Sequence, residues 1–273
     1  MPDNYSLGCV ALALTGLTAL TVHAETSRTD PPDWLLHPAL RSFEVTTGTQ
    51  HLTGPYSSWH HVTLHGVMEQ EDHVLQGELS SKNEYDTSGT FLGLTDTITI
   101  DNNRFASLSI GVGDGAFYLP RYRLDGFLYN KWLPEKNFVS ALGVGYYDAP
   151  DGHVDTSISL GGAWYFEQPL VLEGGVRFNR SNPGGVMTHQ QFIAASYNPD
   201  PRNAWSARVA WGSEGYLPLA LGNSLVNFNS QEASLAWRRQ INQNWGASIS
   251  INHYRNPTYE RSGVDIGLSR HFD

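Results

Sequence analysis

The sequence predicts an all-β chain: a transmembrane, antiparallel, up-and-down β-barrel of about 14 strands, with 12 and 16 as the neighbouring solutions. Three observations predict it. From Arg41 onward, segments of about ten residues alternate in polarity, as a strand with one apolar and one polar face must. The connections between the segments sort into short turns and longer loops in strict alternation. The chain closes on GVDIGLSRHFD, in which Val264, Ile266 and Leu268 alternate with Gly263, Asp265, Gly267 and Ser269. A barrel needs such a last strand to pair with the first, because closure satisfies every backbone group in hydrocarbon.

Composition agrees. Of 273 residues only 16% are charged, against roughly 25% in a soluble domain. Mean hydropathy is nonetheless negative, as expected when only every second residue is apolar. The formal charge of -10 excludes a nucleic-acid partner, which would call for a basic face. With Cys9 as the single cysteine, no intrachain disulfide forms.

Residues 1–24 read as an export signal peptide. Gly8 to Val22 is apolar and ends in Val22-His23-Ala24, so cleavage is expected after Ala24. The stretch is short for a membrane helix, which takes about 20 residues. The leading MPDNYS departs from the usual signal, with Asp3 and no Lys or Arg. Residues 25–40 hold three prolines and no periodicity, and are expected to be a periplasmic linker. Residues 41–273 are the expected barrel.

Taken in order, strand 41–51 puts Glu44 on its polar face, and strand 57–68 puts Trp59, His61 and His65 there. The turn EQE (69–71) leads to strand 72–82, with Glu78 inward, and then to strand 88–100. The turn DNN (101–103) precedes strand 104–113, and the outer loop GDGAFYLP (113–120) precedes strand 121–132. That strand aligns Arg121, Arg123, Asp125, Phe127 and Tyr129 on one face. After PEK (134–136) come strands 137–147 and 154–165, the second with Asp155 inward. After EQP (167–169) comes strand 169–179, with Glu173 and Arg177 inward. The outer loop RSNPGGVM (180–187) leads to strand 188–197, and NPDPR (198–202) to strand 203–213. There Trp205, Val209 and Trp211 oppose Arg208. The longest connection, SEGYLPLALGNSLVNFNS (213–230), falls on the outer side as a loop. Strand 231–241 carries Glu232 and Arg238 inward. After NQ (242–243) come strands 244–254 and 262–272, the last with Asp265 inward. Trp132, Trp164, Trp237 and Trp245 lie near short turns, where an aromatic girdle belongs.

Charges on the lipid side near the midplane cost about 2 to 4 kcal/mol for Arg or Lys, so the charged face lines the lumen. Two readings of that face remain open: an ion-pair network filling the barrel, or a polar channel in which Trp59, Phe127 and Tyr129 offer stacking surfaces to a sugar. No metal is expected, since His61 and His65 lie about 13 Å apart along one strand. No cofactor is expected either: GVGDG (111–115) and NPGG (182–185) match no phosphate loop. An enzyme acting on lipid or polysaccharide is the runner-up. No G-x-S-x-G elbow is present, but Asp, Ser or His side chains converging at one rim would favour it. A closed, ion-paired interior would favour a structural or surface-binding barrel.

The stretches SSWHHVTLHG (57–66), YLPRYRLDGFLYNKW (118–132), FVSALGVGYYD (138–148) and LAWRRQINQNWGASISINHYRNPTYERSGVDIGLSRHF (235–272) are similar to the YaiO-type outer-membrane β-barrel family. The resemblance runs from about residue 41 to the end of the chain. It implies residence in the outer membrane of a Gram-negative bacterium, with membrane lipid and the barrel-insertion machinery as partners. It also implies a pore, or an accessory component, for the passage of glycan (exopolysaccharide) or small solutes. Glycan or glycan-export proteins are then expected as further partners.

Overall fold

The computed structural model describes residues 8–12, 19–23, 39–220 and 222–272. Strands β1 (Gly8–Leu12) and β2 (Ala19–His23) pair with each other as an antiparallel ribbon outside the barrel sheet. The proposed linker lies almost wholly outside the described residues; its last two, Ala39 and Leu40, open the first barrel strand.

Fourteen strands close the barrel: β3 (Ala39–Leu52), β4 (Trp59–Gln70), β5 (His73–Glu84), β6 (Thr87–Thr99), β7 (Arg104–Gly113), β8 (Tyr122–Trp132), β9 (Phe138–Asp148), β10 (Val154–Tyr165), β11 (Leu170–Asn182), β12 (Val186–Asp200), β13 (Asn203–Ala220), β14 (Asn223–Gln240), β15 (Trp245–Arg255) and β16 (Glu260–His271). Every strand pairs antiparallel with its sequence neighbours, and β16 closes on β3 from Arg261↔Leu52 to His271↔Ser42. Phe272 then packs on Phe43, with ring centroids 5.9 Å apart. The strand count and the closing pair are those the alternation predicts.

The outer surface is an apolar belt. Ile249 and Ile266 face each other across β15 and β16, and both are exposed, as are Leu108, Val144, Ile193 and Val209. Trp132, Trp164 and Trp205 are exposed near the short-turn end. Trp237 stacks on Trp205 at 5.9 Å, and Arg270 lies over the rings of Trp245 and Phe272. Rings and an arginine at this level mark the boundary between hydrocarbon and headgroups.

One sequence expectation is overturned here. Residues 213–230 are not a loop. β13 and β14 run eighteen residues each and meet at a turn with Gly222 at φ 77°. Beyond Gly212 and Gln231, these strands pair with each other and with no other strand among the described residues. Polarity alternates poorly in LPLALGNSLV because this hairpin stands above the belt and has no lipid face. β13 leaves β12 at Gly212, whose φ of 145° suits a residue without a side chain. A Cβ there would overlap the His189 carbonyl.

Candidate functional site

A wall of 14 strands, spaced about 4.8 Å and tilted about 40°, encloses a backbone diameter of about 28 Å. What the side chains do inside it therefore decides what the barrel can do. His61, His65, Glu78, Arg123, Asp125, Tyr129, Asp155, Glu173, Arg177, Arg208, Glu232, Arg238 and Asp265 all sit on the inward-facing half of their strands, alternating with exposed neighbours such as Val62, Leu64, Leu79, Leu124 and Ile266. Arg121 does not belong to this row. It precedes β8 at the long-loop rim, half exposed, and pairs with Asp148 at the end of β9. The strand starts one residue later than its alternation suggested, so the expected ladder of Arg121, Arg123 and Asp125 breaks at its first rung.

The charges are joined across strands, and inward-facing glycines make this possible. Asp265 on β16 reaches His61 on β4 at 3.4 Å over Gly48 of β3, where a Cβ would strike the Asp265 carboxylate. Ser248 on β15 donates to Glu44 on β3 at 2.8 Å, over Gly267 of β16. Asp125 takes Arg123 at 2.5 Å. It also lies with Ser157 and Arg177 around Gly145 of β9, each within 3.2 Å of where a Cβ would stand. Arg238 donates to the other Glu44 oxygen at 3.0 Å, and Arg208 faces Glu232 at 3.9 Å. Pairing on this scale is what makes charge tolerable inside a narrow lumen.

The network is not saturated. Among the described residues, His65 Nε2, Glu78 Oε2, Arg123 Nη2 and Asp155 Oδ1 are buried with no hydrogen-bond partner. Such groups call for water or a polar solute. Three of these four residues line one cavity on the β4–β8 wall, floored by Phe91, Phe127 and Tyr129, with a volume of about 60 Å³. That is room for a few waters, well below the roughly 300 Å³ of a small-ligand pocket. Its rings lie against the wall. Phe127 covers Gly143, Phe91 covers Gly111, and Tyr129 stacks on Phe105 at 4.4 Å.

The long-loop end carries a second, apolar layer. Leu52, Trp59, Tyr254 and Tyr259 form a buried cluster, and Leu217 and Leu219 of the tall hairpin pack onto it. On its other side the hairpin reaches the β9–β10 and β11–β12 loops. Tyr216 stacks on His153 at 5.0 Å and donates to the Pro183 carbonyl at 2.9 Å. Glu214 accepts from Tyr254 at 2.9 Å. The hairpin thus arches over the mouth. Tyr85 joins from the β5–β6 turn, packing on Trp59 at 4.8 Å. It holds φ 52° beside Asp86 at 59°, a two-residue turn with both central residues left-handed, a geometry in which Asn-Gly is usual. Tyrosine occupies it because its ring completes the layer. Burial holds the Tyr85 and Tyr259 phenols above the usual range. Burial, aided by the Glu84 and Asp114 charges, pushes Tyr118 up to about 12.

Trp59 is therefore not a free stacking surface. It is 5% exposed, with Arg261 over its ring at 4.9 Å. Lys82, Glu84, Glu214 and Arg261 also face inward near this mouth. Parity along β5 and β16 was enough to find Lys82 and Arg261, and the extended hairpin was needed to find Glu214. Among the described residues, no three His, Cys, Asp or Glu side chains gather as a metal site.

Comparison with known proteins places this geometry. No curated protein matches the sequence. Among solved structures, the chain is similar to an outer membrane channel from Pseudomonas putida F1, with 7% identity, TM-score 0.53, and 90% of this chain and all of that one covered. It is also similar to a bacterial polysaccharide outer membrane secretin, with 11% identity, TM-score 0.52, and 86% and 99% covered. An anion-selective porin from Comamonas acidovorans shows 10% identity, TM-score 0.50, and 86% and 100% covered. These likenesses establish a shared fold. The family model described as the YaiO membrane beta barrel domain matches residues 40–217, most of the barrel, and the chain belongs to that family.

Proposed function

We propose that this protein is an outer-membrane channel barrel for polar solutes, with glycans as the favoured cargo, and that its tall hairpin closes the lumen from outside. The short turns then face the periplasm and the long loops the cell surface, after removal of residues 1–24 as a signal peptide. The observation that carries the reading is the contrast between the two layers. Below lies a wide wall lined with charges that retain hydrogen-bond capacity. Above lies an aromatic and aliphatic layer onto which Leu217 and Leu219 pack from one hairpin, whose upper part pairs with no other strand among the described residues. A barrel built only for rigidity has no use for hydrated charge under a separable cap. Barrels of this fold include a polysaccharide secretin and a porin, which supports passage of either cargo class.

Liposome swelling tests it. Proteoliposomes holding a folded barrel with the hairpin shortened should swell in isotonic mono- and oligosaccharide faster than those holding wild type, with the rate falling as the sugar lengthens. Arg123→Ser should shift permeability toward cations, since lining charge sets selectivity. Absence of swelling in both wild type and a variant with the hairpin shortened contradicts the channel reading and favours the ion-paired structural barrel.

A further inference from the structure

Outside the lumen, Ser and His side chains meet at the long-loop rim. His253 on β15 and Ser262 on β16 stand directly opposite each other in the register, both exposed. They lie one outward-facing step above Ile251 and Val264, which face each other in the apolar belt. Ser262 Oγ lies 2.9 Å from His253 Nδ1. That is the reach required between a hydroxyl nucleophile and its base. His51 of β3 is opposite Ser262 on its other side. One step further out, Arg255 faces Glu260 at 3.4 Å, so a cation stands at headgroup level above the serine. The second Ser–His meeting on this rim differs. Ser213 Oγ contacts the His189 backbone, not its ring.

We propose that Ser262 and His253 form a lipid-facing nucleophile–base site for acyl esters of membrane lipids. An ester carbonyl at the base of the headgroup lies at this depth, and Arg255 is placed for the headgroup phosphate. Ser262 Oγ attacks the carbonyl carbon and passes its proton to the His253 ring. The ester C–O bond breaks, and the leaving alcohol takes that proton, giving a deacylated lipid and acyl-Ser262. The same ring then takes a proton from water. The resulting hydroxide attacks the acyl carbon, and Ser262 recovers its proton as the fatty acid leaves. No other reactant is needed. The site does not depend on the channel reading, because it faces lipid and the channel faces the lumen.

The test uses the full folded barrel in mixed micelles with fluorescent-acyl phosphatidylethanolamine, and a fluorophosphonate as serine-directed probe. The wild type should release fluorescent fatty acid, and peptide mapping should place the fluorophosphonate on Ser262. Ser262→Ala should lose both signals, and His253→Asn should slow release roughly a hundredfold or more. Heat-modifiability gels establish that each variant is folded, and the mapping in the wild type stands even if a variant fails to fold. Folded wild type that neither labels nor releases overturns the proposal, and so does fluorophosphonate on another serine. Swelling rates should be unchanged in Ser262→Ala, so the channel and the site fail separately.

Discussion

Asp265 on β16 and His61 on β4 meet at 3.4 Å over Gly48, one residue of the strand that lies between them. Asp265 is further held by Ser250 at 2.9 Å and Asn252 at 3.3 Å. Three strands around the closing seam, β4, β15 and β16, are thereby tied by one carboxylate. Gly48→Ala puts a methyl into the carboxylate's place. It should destabilise the barrel by about 1 to 3 kcal/mol, as overpacking does. Urea titration of the folded band on a heat-modifiability gel reads the shift. A variant as stable as wild type would show that the seam does not depend on this meeting.

Depth in the belt should set the cost of charge on the outer face. Ile266 lies opposite Ile249 mid-strand, so Ile266→Arg should cost about 2 to 4 kcal/mol. Leu268 lies one step from Arg270, which already sits over Trp245 and Phe272 at the girdle. Leu268→Arg should cost about 0 to 1 kcal/mol, the interfacial value. Equal effects in the same urea assay would mean that the membrane crosses the barrel at another level.

The rim should show itself in alkaline titration. Tyr118 donates to the carbonyls of Lys82 and Thr87, and its phenol is pushed up to about 12, above the ordinary value of about 10. A phenol raised by folding favours the folded state below pH about 10, and that contribution is lost as pH rises through about 12. Ultraviolet titration of wild type against Tyr118→Phe should assign one late-ionising tyrosine to this site. Ionisation near pH 10 would mean that the β7–β8 loop does not dock Tyr118 against the β5–β6 hairpin end.

Strand count, closure and the inner face were legible because each rests on a period of two, which sequence carries locally. Ile266 out and Asp265 in follow from parity alone. The partnerships were not legible. Nothing in the spacing of Asp265, Gly48 and His61 says that they converge, because these side chains, two strands apart in the wall, touch only by passing over a residue of the strand between that lacks a side chain. Arg121 was misplaced by one residue at a strand end, where pairing to Asp148 overrides parity. Trp59 has the composition of a sugar platform, and only the hairpin folding back over it shows that its face is taken.

Single-channel recording in planar bilayers bears most directly on the sealed channel. Wild-type barrel should conduct little, because Leu217 and Leu219 rest on the Trp59 and Tyr259 layer. Leu217→Ser with Leu219→Ser, or replacement of residues 214–229 by a two-residue turn, should raise conductance several-fold in protein shown to be folded. Folded, shortened barrel that still conducts no better than wild type would contradict the channel beneath the hairpin.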